Sequence, residues 1–79
     1  MATLRLFASA REAAGTPKAT FGGPTVGAVL DAARAEFGEP FGAVLAGCKV
    51  WRNGEPAELT DEVGDSDEVA VLPPVSGGA

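Results

Sequence analysis

Few side chains in this sequence could do chemistry on their own. Its 79 residues include no histidine and a single cysteine. The commonest general acid–base group is therefore missing. The several Cys or His ligands of a zinc site are missing too, and one cysteine forms no internal disulfide. Cys48, beside Lys49, could serve as a persulfide or thioester site, but a lone free cysteine more often acts as a small buried hydrophobe, and that is the expectation here. Asp61, Glu62, Asp65, Asp67 and Glu68 crowd one stretch. They lack the ligand spacing of a calcium loop and its closing glutamate. A solvated acidic face, able to steer toward a basic partner, is the better account. Gly22-Gly23-Pro24 precedes a helical pattern but lacks the Lys-Ser/Thr pair of a phosphate loop. No metal site is expected.

The C-terminus is more informative. It reads Pro73-Pro74-Val75-Ser76-Gly77-Gly78-Ala79. Gly77 and Gly78 have no Cβ, so they can enter a narrow channel and take backbone angles closed to other residues. Pro73 and Pro74 cannot donate to a β-ladder, so a sheet must end there. They also stiffen the base of whatever follows. A domain over residues 1–74 with a loose tail over 75–79 is expected.

Composition limits the rest. The chain is 46% hydrophobic and 22% charged, with net charge −5. That suits one small globular domain, which at this length buries only about 60% of its unfolded surface. The Lys and Arg residues are scattered singly, so phosphate-backbone neutralisation, and with it a nucleic-acid partner, is not expected. No run is long enough to span a bilayer and no secretory leader is visible. No membrane partner and a cytoplasmic location are expected.

Certain elements must position the tail. Thr3 to Ala8 alternates as a first strand, with Leu4, Leu6 and Ala8 on one face and Arg5 and Phe7 on the other. Ser9-Ala10-Arg11-Glu12 has capping-box spacing and predicts a short helical turn ending at Gly15. Lys18 to Phe21 predicts a second strand. Thr25 can cap the main helix, whose apolar stripe is Val26, Val29, Leu30, Ala33 and Phe37. Gly38 and Pro40 stop it. Phe41 to Leu45 is apolar but too short to classify. Lys49 to Arg52 predicts a strand entering an Asn53-Gly54 hairpin turn. Trp51 could mark a binding surface, but in a strand core packing is commoner and is the expectation, and Leu59 and Val63 are expected to fill a gap in the core. Glu68 to Leu72 is the last strand, with Val69 and Val71 on one face. The order is strand, strand, helix, strand, strand. One amphipathic helix must then cover one face of a small mixed sheet, an α+β arrangement of the β-grasp type.

Three stretches carry a resemblance. Leu4 to Thr16 (LRLFASAREAAGT), the segment Gly64-Asp65-Ser66-Asp67-Glu68-Val69, and the ending Leu72 to Gly78 (LPPVSGG) resemble the MoaD/ThiS family of sulfur carriers. The likeness is greatest to the small subunit of molybdopterin synthase. It implies a ubiquitin-like β-grasp fold. It also implies that an E1-like adenylating enzyme uses ATP to activate the final glycine carboxylate, and that a sulfur donor converts the adenylate to a thiocarboxylate. A recipient synthase large subunit then takes the sulfur to build molybdopterin. The carrier itself is not a complete enzyme and binds no cofactor. On this resemblance Gly78 is the reactive residue and Gly77 its companion. Val75 and Ser76 give a partner something to grip above Pro73 and Pro74. Phe7 and Leu72 match an apolar docking surface, and Arg11 a basic position near it. By residue type alone, Phe7 and Leu72 could equally be core, and Arg11 a solvated helix charge.

One departure matters. The family's active form ends at the second glycine, and Ala79 follows it here. With Ala79 attached the Gly78 carboxyl is an amide and cannot be adenylated. A peptidase removing Ala79 is the expected remedy. An activating enzyme that tolerates alanine, or an inactive relative, are the other readings. Sulfur delivery to cysteine, thiazole or secondary-metabolite synthesis, a ubiquitin-like protein modifier, and a non-catalytic β-grasp interaction domain are the alternative functions.

Overall fold

The structure, a computed structural model, describes residues 1–73. Along the chain run β1 (Ala2–Leu6), α1 (Ala8–Ala14), β2 (Lys18–Phe21), α2 (Val26–Phe37), α3 (Glu39–Leu45), β3 (Lys49–Arg52), β4 (Glu55–Pro56) and β5 (Glu68–Leu72). The five strands form one sheet in the order β2-β1-β5-β3-β4. β1 and β5 are parallel neighbours, and every other pair is antiparallel. Parallel strands need a crossover connection. Here the crossover contains α2 and α3, and it must lie on one face of the sheet.

The alternation of the strands decides which side chains meet those helices. Ala2, Leu4 and Leu6 of β1 and Val69 and Val71 of β5 are buried against Val26, Val29, Leu30 and Ala33 of α2. Ala10 of α1, Phe41 of α3 and Val63 complete this core. Each fully buried Val, Leu or Phe contributes roughly 1.5–3 kcal/mol over its exposed state. No polar or charged residue is buried among the described residues.

α2 is capped as its sequence predicts. The Thr25 hydroxyl accepts from the Ala28 N–H at 3.2 Å, and Gly38 ends the helix with φ 90°. Two further N-terminal donors of α2 are satisfied from outside the helix. Val26 N–H donates to the Asp61 carbonyl and Gly27 N–H to the Leu59 carbonyl, each at 2.9 Å. A Cβ on residue 27 would lie 3.1 Å from that Leu59 oxygen, so glycine permits the loop to approach this closely.

The Asn53-Gly54 turn forms with φ 52° and 85°, the two positive values that such a hairpin requires. Asn53 also ties this turn to the start of β5. Its amide donates to Asp67 Oδ1 and accepts from Glu68 N–H, both at 2.8 Å. Its backbone N–H donates to the Glu68 carbonyl.

Several expectations need correction. Among the described residues there are three helices: the main helix α2, α1 where a helical turn is expected, and α3 over the apolar segment too short to classify from sequence. Pro40 both ends the α2 pattern and opens α3, because proline fits the first turn of a helix. Phe41 then anchors α3 in the core, its ring edge-on to Phe37 at 5.1 Å. The hairpin adds β4, a two-residue strand too short to show as a pattern. β1 ends at Leu6, so Ala8 does not share the Leu4 face; it sits exposed in α1 with φ 51°. The capping box does not form. α1 starts one residue before Ser9, its N-cap is Phe7 with no side-chain bond, and the Phe7 carbonyl accepts from Ala10 and Arg11. Leu59 is 59% exposed and fills nothing, since its loop is held to α2 through backbone atoms. Val63 is buried as expected.

Candidate functional site

The sheet has two faces, and the helices cover only one. Register places the residues of the other. Arg5 of β1 pairs with Lys18 of β2 and with Ala70 of β5, and Ala70 pairs with Trp51 of β3. One step along, Leu72 pairs with Lys49. Because side chains alternate along each strand, Lys18, Thr3, Arg5, Glu68, Ala70, Leu72, Lys49 and Trp51 share the uncovered face.

An apolar hollow lies at its centre. Phe7, Trp51, Ala70 and Leu72 line it, with Asn53, Gly54 and Glu68 at one end, and it encloses about 300 Å³. Phe7 reaches it because β1 stops at Leu6. The next residue keeps extended angles (φ −128°, ψ 150°) as the chain turns into α1. It is 42% exposed. Neither Phe7 nor Leu72 belongs to the core. Trp51 was expected in the core. It instead walls the hollow, half-buried, because it alternates with Val50, which points to the helices.

Arg11 is exposed in the last turn of α1, where its charge complements the helix dipole. It does not line the hollow. Pro73 follows β5 directly and takes no part in the sheet. Pro74, Val75, Ser76, Gly77, Gly78 and Ala79 lie outside the described residues. So does the boundary expected between residues 74 and 75. Pro73, the last described residue, comes one residue after the Leu72 wall of the hollow.

A larger groove of about 680 Å³ opens on the other side of Trp51, between α2, the end of α3 and the β3–β4 edge, and Lys49 lines it as well. It holds Cys48, Arg34 and the exposed Leu59. The Cys48 thiol donates to the Val44 carbonyl at 3.2 Å, and burial pushes its pKa up. Both effects oppose the thiolate that sulfur chemistry would need. Cys48 is expected to be buried; it is partly buried, packed against the core at the wall of the groove.

The acidic stretch is occupied by local bonding. Asp61 accepts from Glu58 N–H, and Glu68 pairs with Arg5 at 3.2 Å. Asp67 accepts from Asn53 and from Gly64 N–H, and these two bonds, with Arg52 nearby, hold its carboxyl below the usual carboxylate range. No helix among the described residues is long and apolar enough to cross a membrane.

Comparison with known proteins agrees with this fold. The model of the ThiS family matches residues 4–78. No curated protein matches. Solved structures do. The solution structure of small archaeal modifier protein 1 from Methanosarcina acetivorans is 30% identical, with TM-score 0.88, covering 98% of this chain and 95% of that one. A Pyrococcus furiosus protein assigned as molybdopterin converting factor subunit 1 is 24% identical, with TM-score 0.81, covering 94% and 97%. The Amycolatopsis orientalis BexX/CysO complex matches at 22% identity and TM-score 0.80, covering 99% and 100%. The last two likenesses bear on the fold, which is the β-grasp.

Proposed function

The chain belongs to the ThiS family of small ubiquitin-like carriers and modifiers, which are not themselves enzymes, and from that premise we propose that it carries sulfur as a thiocarboxylate on Gly78. The observation that carries this reading is the extent of the family match, which runs through Gly77-Gly78 and stops there.

The chemistry then follows from the tail. A carboxylate is a poor electrophile. An E1-like partner would use ATP to convert the Gly78 carboxylate to a mixed anhydride with AMP, releasing pyrophosphate. Sulfide-level sulfur from a donor attacks the acyl carbon, the bond to AMP breaks, AMP leaves, and the thiocarboxylate remains. Because Gly77 and Gly78 lack side chains, the segment can thread a narrow active site. Pro74, Val75 and Ser76 set its reach and give the partner a grip. Phe7, Leu72 and Pro73 dock the domain beside that entrance, and Arg11 borders the docking region. The peptide bond between Gly78 and Ala79 must be hydrolysed first, by a peptidase. The recipient we favour is the large subunit of molybdopterin synthase, on the Pro-Pro-Val-Ser-Gly-Gly ending. Cysteine or thiazole synthesis are the other sulfur-requiring recipients.

A second reading has an observation of its own. The 30% identity to a small archaeal modifier protein, over nearly the whole of both chains, favours attachment of Gly78 to a lysine amine of a target protein. It uses the same activation and differs only in the acceptor.

The test compares a chain ending at Gly78 with the full chain, using ATP–pyrophosphate exchange with the adenylating enzyme from the same cells. The shortened chain should support exchange and the full chain should not. Equal exchange by both would remove the processing step. The intact mass from cells then separates the readings: an oxygen-to-sulfur replacement at Gly78 marks the carrier, and isopeptide adducts mark the modifier.

A further inference from the structure

The uncovered sheet face has a charge of the opposite sign to the chain. The molecule is acidic overall, with 11 Asp and Glu against 6 Lys and Arg. Register puts Arg5, Lys18 and Lys49 on this face, half of all the cations, and of the eleven carboxylates only Glu68. Glu68 and Arg5 engage each other, so the net positive charge of the face is that of Lys18 and Lys49. Glu68 also sits at the far end of the hollow, level with Thr3, while Lys49 is level with Leu72. The end nearest Pro73 is therefore apolar at its centre and basic at its margin.

Charges of one sign set around an apolar hollow select partners with the opposite arrangement, since like charges brought together across an interface are costly. We propose that the protein that takes up the C-terminal segment presents an apolar projection framed by Asp and Glu, which enters the hollow of Phe7, Trp51, Ala70 and Leu72 between Lys49, Lys18 and Arg5. The inference rests on the reading that this chain hands its C-terminus to partner proteins. It reverses the expectation from composition, in which an acidic chain seeks a basic partner. The carboxylates elsewhere on the molecule discourage docking on other sides of the same acidic-rimmed partner.

The experiment uses ATP–pyrophosphate exchange by the adenylating enzyme, with the chain ending at Gly78 as the varied substrate. The double variant Lys18→Glu/Lys49→Glu should raise KM about 10-fold and leave kcat within two-fold, because the effect lies in docking. Raising NaCl from about 50 to 500 mM should raise the KM of the unaltered chain. Glu36→Lys, an exposed change on the helical side, is the control and should leave KM within about two-fold. Both altered proteins carry exposed substitutions, and far-UV circular dichroism confirms their folding. An unchanged KM for the double variant overturns the proposal. So does a fall in KM of about three-fold with Glu36→Lys, whose charge change is opposite in sign and half as large, since that would mean that total charge alone matters. If the unaltered Gly78-terminal chain supports no exchange at all, the carrier reading itself fails, and that result is distinct from either.

Discussion

Replacing Phe41 with alanine tests the core where the structure departs most from the sequence pattern. Phe41 is fully buried in α3 and stacks edge-on with Phe37, which in turn meets Phe21 at 5.7 Å. Truncating a buried phenylalanine removes its transfer free energy and leaves a cavity, at a cost of about 3–5 kcal/mol. The lost aromatic edge contact accounts for about 0.5–1.5 kcal/mol of such a change. A chain of this length has a total stability of roughly 4–12 kcal/mol. Phe41→Ala thus removes a large share of it, and Tm should fall by about 15–30 °C. Phe41→Leu, which keeps most of the volume, should cost about 1 kcal/mol. Leu59→Ala is the matched control. That side chain is 59% exposed, and the bond its residue gives α2 comes from the backbone carbonyl, so the change should stay within about 0.5 kcal/mol. Urea unfolding followed by the fluorescence of Trp51, the only tryptophan, measures all three. The reasoning is refuted if Phe41→Ala lies within about 1 kcal/mol of the unaltered protein. It is refuted equally if Leu59→Ala costs as much as Phe41→Ala.

Two further outcomes follow from side-chain geometry. Asn53→Ala removes both side-chain bonds to the β5 turn and puts a Cβ without a polar group at φ 52°, so Tm should fall by about 8 °C, and Asn53→Gly should recover part of the loss by relieving the backbone. The same bond depresses the Asp67 pKa first among its causes, so its stabilising effect is full above about pH 4 and is lost as pH falls through the depressed value; the drop in urea midpoint between about pH 6 and pH 3 should be smaller in Asn53→Ala, and an equal drop would remove Asn53 as the cause. Cys48, with its pKa raised by burial, should react with a thiol reagent at pH 8 several-fold more slowly in the folded chain than in the urea-unfolded chain, and equal rates would contradict the burial.

Local sequence determined much of this protein. The alternation of Leu4 and Leu6, and of Val69 and Val71, specified which side of each strand is buried. Thr25 and Gly38 bounded α2, and Asn53-Gly54 fixed the hairpin turn. Each of these depends on backbone preferences and periodicities within a few residues. The ending through Gly77-Gly78 marked the family for the same reason, since it is a short contiguous motif. Tertiary structure decided the rest. Phe7, Trp51 and Leu72 are far apart along the chain, and only the strand order and the Leu72–Lys49 register bring them to one hollow. Their residue types suit a core equally well, so no local pattern could separate the two roles. α3 was hidden because seven residues are too few to show a helical period. Leu59 was misplaced because its loop is anchored by main-chain carbonyls, which the identity of a side chain does not reveal. The basic margin of the outer face is likewise a product of register. Three cations scattered singly in sequence become one group when β1 lies between β2 and β5, with β3 beyond.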